Sequence, residues 1–399
     1  MLDSRTVPVV ASADLEADIH GTFARYRPSC PFIALDTGGY VVLRHDDVRR
    51  LLDDPRLQAT ETAMPAQAGI SQGELYDIFA LGMLTANGAV HARRRSALSR
   101  TLANQLIEQF RRHFRQAAFA LLDECYDNGR LELASGYAAR LPILALAGLL
   151  DIPGGDVPSF MRDVYEMNEF FRPHATADSV ASAESATNRL RLYLDRLLVE
   201  AETGPAPGFL RDYLRNVEQD GLSRGEALMQ IIQLIIGGTE SVRTALVSQA
   251  VNLRAHGEQW QAVCDDPALV PDAVAEGLRF EPGIAGVVRV SAADIEIDGW
   301  TLPAGQLVIL SFISALRDER IFARADSFDI SRSNLNMSRL AFGGGAHRCV
   351  ADALGRAELE EGLSVLVERL PTLQLDAPSA FHGHVFVRST SQCWVTWQP

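Results

Sequence analysis

The sequence has no lysine: all 37 basic side chains among its 399 residues are arginine. A coding bias toward arginine is the plain explanation. It also has no Cys-x-x-Cys pair. Its five cysteines, Cys30, Cys125, Cys264, Cys349 and Cys393, are scattered and odd in number. That argues against a disulfide framework or a structural zinc site and fits a reducing, cytoplasmic setting. Long apolar runs are missing too. The longest, Leu141 to Leu150, contains Pro142 and is too short to span a bilayer. Met1 to His20 carries acids and no apolar stretch, so no signal peptide is expected. Positive charge is in deficit: the net charge of −14 argues against nucleic acid or an anionic membrane as the main partner. Internal repeats, low-complexity tracts and linkers are absent.

The chain is 47% hydrophobic, ample for a large core. Phe32–Leu35 and Tyr40–Leu43 flank a Gly-Gly turn and read as a hairpin. A short helix follows near Asp46 to Leu52, and residues 58–88 read as a long loop. Apolar residues at three- and four-residue spacing then predict helices near 90–110, 112–127, 135–150, 157–171, 179–201 and 208–218. Ser223 can cap a further helix, apolar all round and therefore buried, running to about Ala250. Helices near 256–265 and 271–280 precede strands at Val287–Val290, Ile295–Ile297 and Leu307–Ser311. A helix from Val350 and a strand-rich tail, Val385 to Trp397, complete the chain. The expectation is one large, mainly α domain. Its helical part covers about 89–280 and 350–370, and a smaller β-rich part comes from about 30–45, 285–312 and 385–397.

The chemistry concentrates at Phe342-Gly343-Gly344-Gly345-Ala346-His347-Arg348-Cys349-Val350-Ala351. Three glycines permit a tight bend, and a cysteine opening a helix is biased toward thiolate by the helix dipole. Such a thiolate is a nucleophile or a metal ligand. Zinc needs further thiolates or histidines at ligand spacing, and a cysteine protease needs a partnered histidine motif; neither is present. A single thiolate on iron remains. Here the sequence resembles the cytochrome P450 family of heme-thiolate enzymes, whose heme-binding signature fits every position from Phe342 to Ala351. Ala351 stands where glycine is commoner.

Other segments extend the resemblance over nearly the whole chain. Glu276-Gly277-Leu278-Arg279 resembles the family's Glu-x-x-Arg element, with Arg332 the expected third member of a structural lock. Gly237-Gly238-Thr239-Glu240-Ser241 resembles its oxygen-binding groove. By that register Glu240 is the acid and Ser241 the alcohol, where threonine is usual, of a proton-delivery pair. His91 and Arg95, with Arg289 and His347, match the family's contacts to the heme propionates.

The resemblance implies heme b (iron protoporphyrin IX) bound through the Cys349 thiolate, with Phe342 and Gly238 beside it. It implies insertion of one atom of dioxygen into a small, largely apolar substrate. Pocket residues by the same register are Met83, Leu84, Ile235, Gly237, Val287, Val288 and Phe386. Arg172, His382 and His384 are candidate polar anchors. Seven arginines against one acid between His91 and Ala120 suggest a basic face. A ferredoxin-type electron donor would dock there, on Arg93, Arg94, Arg112 and Arg348. Two alternatives stay open. One is a peroxide-driven or non-oxygenating heme-thiolate enzyme; the other is a non-catalytic heme sensor or carrier.

Overall fold

A computed structural model describes residues 6–102, 107–172, 175–204, 208–390 and 392–399. Two compact units make up the chain, each from separated segments. A strand-bearing unit comprises Met1–Ala59, Thr244–Cys349 and Pro371–Cys393. A helical unit comprises Thr60–Arg243, Val350–Leu370 and Trp394–Pro399.

The strand-bearing unit is organised on a six-stranded mixed sheet. Its spatial order is Val9–Val10, Phe32–Leu35, Tyr40–Val42, Leu307–Ser311, Gly286–Ser291 and Leu57–Gln58. The expected hairpin forms with Phe32 opposite Val42 and Ala34 opposite Tyr40. Gly38 and Gly39 turn it at φ of +96° and +86°, a region open mainly to glycine. Gly286 pairs with Ser311 in the antiparallel centre of the sheet, and a Cβ there would fall 2.5 Å from the Leu310 carbonyl oxygen. Phe23, Ile33, Val41, Leu43, Ala285 and Ile313 form the core against which the sheet packs.

The helical unit holds Gly88–Thr101, Ile107–Asp123, Arg140–Leu149, Val157–Asn168, Ala177–Thr203, Phe209–Gln219, Arg224–Gly237 and Asp352–Arg369. Arg224–Gly237 lies at its centre, buried from Glu226 through Ile236. Ser223 starts it with a reciprocal cap: Glu226 N donates to Ser223 Oγ (3.2 Å) and Ser223 N donates to the Glu226 carboxylate (3.0 Å).

Four expectations need correction. Residues 58–88 are more than a loop, since they contain the short helices Ala63–Gln67 and Glu74–Ala80. The helix expected from Ser223 to Ala250 is interrupted at Gly238–Thr239 and resumes as Glu240–Ala255. Helices between Thr244 and Phe280 belong to the strand-bearing unit. The tail strand Trp394–Thr396 pairs with Arg130–Glu132 inside the helical unit. Only tertiary packing separates the last two cases, because local periodicity is the same on either side of each boundary.

Candidate functional site

The glycine turn belongs to the strand-bearing unit. Gly343 and Gly345 adopt φ of +73° and +61°, and a Cβ on Gly345 would fall 2.5 Å from the Leu52 carbonyl oxygen and 2.6 Å from Asp53 Oδ1. Both position and conformation therefore demand glycine there. Cys349 N donates to the Phe342 carbonyl at 2.9 Å, closing the turn and fixing the cysteine. Cys349 itself is exposed, and Phe342, His347 and Arg348 are half-buried. The following helix begins at Asp352, with Ala351 capping it at φ −110°. That angle suits any L-residue, so alanine costs this backbone nothing.

Behind the turn, Glu276 and Arg279 are fully buried and paired at 2.6 Å. Glu276 also accepts from Arg332 Nε (3.1 Å) and Asp329 N (2.8 Å). Arg279 spends its remaining donors on the carbonyls of Leu316, Ala325 and Ser327. All three members of the lock meet, and each buried charge is saturated.

Arg289 is the opposite case. It is only 8% exposed, yet the sole hydrogen bond of its side chain among the described residues runs from Nη1 to the neighbouring Val288 carbonyl, 2.8 Å. Burial pushes its guanidinium down to about 10. A second buried cluster in this unit was not anticipated. Glu281 is ion-paired with Arg388 and lies 3.6 Å from Arg317 and 2.8 Å from His20 Nε2. Burial, then Arg317 and Arg388, holds His20 well below its ordinary 6.5. Nothing in the spacing of these residues signals the cluster. In the same unit Val287, Val288, Phe386 and His384 are half-buried, and His382 is exposed.

The helical unit carries the break. Ser241 Oγ donates to the Gly237 carbonyl at 2.7 Å and Thr239 Oγ1 to the Ile235 carbonyl at 3.0 Å. Side-chain hydroxyls thus bond to main-chain carbonyls across the break. Asn168, buried and overlooked in the sequence, donates from Nδ2 to Thr239 Oγ1 at 2.9 Å. Gly237 is exposed in an otherwise buried helix, and a Cβ there would meet nothing within 4 Å. A Cβ on Gly238 would sit 3.0 Å from the Leu234 carbonyl. Glu240 is 9% exposed and bonded to Arg243 at 3.0 Å, with Arg172 at 3.9 Å. Of the residues expected to line a pocket here, Leu84 is 40% exposed, whereas Met83 (2%) and Ile235 (0%) are packed into the hydrophobic core.

The arginine-rich stretch is less available than its sequence suggests. Arg93 and Arg94 both bond Glu226, and Arg94 is buried. Arg100 pairs with Asp220, Arg111 with Glu360 and Glu361, and Arg115 with Glu361 and Glu368. Arg94 is thus taken up inside the unit, whereas Arg93, paired with Glu226, keeps 39% of its side chain exposed. Arg112 is exposed. His91 is 4% exposed and Arg95 is half-buried one turn further along.

Comparison with known proteins decides what these pieces belong to. The cytochrome P450 family model matches residues 186–387. A plant-inducible cytochrome P450, pinF1, of Rhizobium radiobacter is 32% identical over 99% of this chain and 93% of its own length. The chain belongs to the cytochrome P450 family. Nocardicin C N-oxygenase of Nocardia uniformis is 30% identical to this P450 over 99% of both chains. The P450 CxnD, described as forming a C–S bond in chuangxinmycin biosynthesis, superimposes with a TM-score of 0.87 at 26% identity over 99% of both chains. The protein is thus an oxidoreductase, a P450 monooxygenase with the P450 fold, mainly helical with small sheets. Membership implies a heme-thiolate cofactor, dioxygen, a redox partner and a small substrate. No helix among the described residues is long and apolar enough to cross a membrane.

The residues fit such a cofactor. Arg289 is a buried cation with no carboxylate partner among the described residues, as a propionate would require. The Cys349 thiol is exposed and held by its backbone. Gly237 leaves open space where any other side chain would intrude.

Proposed function

We propose that this P450 inserts one atom of dioxygen into a small, largely apolar substrate in the cytoplasm, using heme b. Cys349 would bind the iron, and His91, Arg95, Arg289 and His347 would hold the propionates, with Phe342 and Gly238 against the ring. Bound there, the heme supplies the binding and reductive activation of dioxygen. The chain's own residues supply the protons. Glu240 is held by Arg243; leaving that pairing, its carboxylate takes up a proton from solvent and passes it on to Ser241 Oγ. Ser241 turns from the Gly237 carbonyl to donate onward to dioxygen. Lacking a β-methyl, serine makes that rotation more easily than threonine would. Leu84, Gly237, Val287, Val288 and Phe386 are the residues to test for substrate contact. Electrons come from a separate ferredoxin and its reductase, with Arg112 and Arg348 the arginines to test for docking.

The observation that carries this reading is the break itself: an open glycine, a hydroxyl folded onto its carbonyl, and a buried acid beside them. Removing the hydroxyl or the acid, in Ser241→Ala and Glu240→Gln, is expected to lower product per NADH consumed at least about tenfold, within the usual size of general acid catalysis. Product formed with added peroxide should be spared. Unchanged coupling in both variants would remove the proton-delivery assignment, and a peroxide-only enzyme would give no product with NADH and ferredoxin. Retention of the thiolate-type spectrum of the reduced carbon monoxide complex in Cys349→Ala would remove the axial assignment.

A further inference from the structure

Arg224–Gly237 buries three polar side chains in an otherwise apolar core: Glu226, Gln230 and Gln233. Spacings of four and three place them on one helix face. That face meets the backbone from Ile78 to Leu84, where Glu74–Ala80 ends and its last carbonyls run out of intrahelical partners. Side chains take over every one of these carbonyls. Gln233 Nε2 donates to Ile78 O (2.7 Å) and Thr85 Oγ1 to Phe79 O (2.9 Å). Arg94 Nη1 donates to Ala80 O and Gly82 O (both 3.0 Å), and Gln230 Nε2 to Leu81 O (2.9 Å). Gln233 Oε1 accepts from Met83 N (2.7 Å) and Leu84 N (3.0 Å). Glu226 holds Arg94 Nε at 2.9 Å.

The fit has no slack. A Cβ on Gly82 would lie 1.9 Å from Gln233 Nε2 and 2.2 Å from the Ile78 carbonyl oxygen. Surface connections usually spend such groups on water and open readily; this one spends five consecutive carbonyls on buried or half-buried side chains. Gln233 also stands one turn before Gly237, about 6 Å along the axis, so the fastened segment ends beside the open glycine.

We propose that Gln233 is a specificity-determining positioning residue, which, supported by Gln230 and the Glu226–Arg94 pair, fixes residues 78–84 as a rigid wall beside Gly237. Substrates are then selected by the fixed shape of that wall, and movement of residues 78–84 plays no part. The selectivity half of this proposal rests on the heme-enzyme reading above; the clamp itself does not.

Two readouts on the holoenzyme separate the two. Hydrogen exchange of the peptide spanning Met83 and Leu84 reports the clamp. The ratio of affinities for clotrimazole and 4-phenylimidazole, a bulky and a small azole followed by the heme absorbance shift, reports the wall. Gln233→Leu removes acceptor and donor together and is expected to speed exchange at least about tenfold and to shift the ratio about tenfold toward clotrimazole, equivalent to the loss of one or two net hydrogen bonds.

Gln233→Glu is the conservative arm. As a neutral acid its carbonyl accepts from Met83 and Leu84 while its hydroxyl donates to Ile78; as a carboxylate it cannot donate. The protection factor (exchange relative to the intrinsic rate at each pH) and the ratio of affinities for the neutral azoles should match wild type at low pH in this variant and approach Gln233→Leu at high pH, with wild type flat throughout. The charged neighbours in the clamp, Glu226 and Arg94, do not confuse the titration. Burial pushes the Glu226 carboxyl up, but Arg93, the Ser223 N–H and Arg94 outweigh it and hold it at about 2. Wild-type exchange in Gln233→Leu overturns the clamp. Faster exchange with an unchanged azole ratio overturns the selectivity claim. If wild type gives no azole shift the heme reading fails, and exchange alone still judges the clamp. Should Gln233→Leu not fold, a pH-independent Gln233→Glu overturns the proposal by itself.

Discussion

Replacing Arg289 with methionine should stabilise the empty protein and loosen its cofactor, two effects of opposite sign from one substitution. Burial lowers the Arg289 guanidinium well below its ordinary value, to about 10, a cost of roughly 3 kcal/mol at 1.36 kcal/mol per pH unit. The group has a depressed pKa as a base, so this penalty is constant at every pH below about 10 and fades only as pH rises beyond it. Its one compensating contact is the Val288 carbonyl at 2.8 Å, whose loss costs about 1 kcal/mol. Methionine keeps the apolar stem and removes the charge, so the heme-free variant should gain about 2 kcal/mol. If a propionate sits there as proposed, the guanidinium would make a charge-assisted pair of about 1.5–3 kcal/mol with it. Its loss should speed heme transfer to apomyoglobin roughly 10- to 150-fold. Urea unfolding of the heme-free forms at pH 7 and stopped-flow heme transfer measure the two halves. A heme-free variant less stable than wild type, or heme loss at the wild-type rate, would refute the reasoning.

Three further outcomes follow from the same structure. Glu276→Ala leaves Arg279 and Arg332 buried without their carboxylate and should destabilise the protein by about 3–5 kcal/mol, read as a lowered urea midpoint with an unchanged slope. Gly345→Ala forces a side chain into φ +61° against the Leu52 carbonyl; it should cost at least about 1–3 kcal/mol and lower the heme-to-protein ratio of purified material. Burial pushes the Glu358 carboxyl up to about 8 from an ordinary 4.5. The folded state therefore holds a proton that the unfolded state releases between these values, and stability falls as pH rises through that window. Glu358→Gln should flatten the fall, checked by thermal melting at pH 5 and pH 8; an equally steep fall in the variant would contradict it.

The elements legible in the sequence were those whose physics is local. Gly343 and Gly345 advertise positive φ, Glu276 and Arg279 sit one turn apart on a helix, and Gly237-Gly238 beside two hydroxyl residues mark the groove, although not the break in the helix. Such signals need only a few neighbouring residues, and together with Cys349 they brought the heme-thiolate family into view. The two short helices between 63 and 80 were read as loop because each is too brief to show a period. Arg93 and Arg94 looked like surface charge, since their partner Glu226 lies more than 130 residues away. Gln230 and Gln233 looked like ordinary members of a buried helix, since the carbonyls they hold lie 149 and 155 residues before them.

The sequence alone determined the turn that presents Cys349, the lock at Glu276 and the class of chemistry these imply. Tertiary structure decided which charges are spent inside the protein and which are left over. It left Arg289 buried without a counter-charge among the described residues, tied Arg93 and Arg94 to Glu226, and fastened residues 78–84 to one face of a helix. Desolvation and pairing depend on what surrounds a group in space, and that is settled only when distant segments pack.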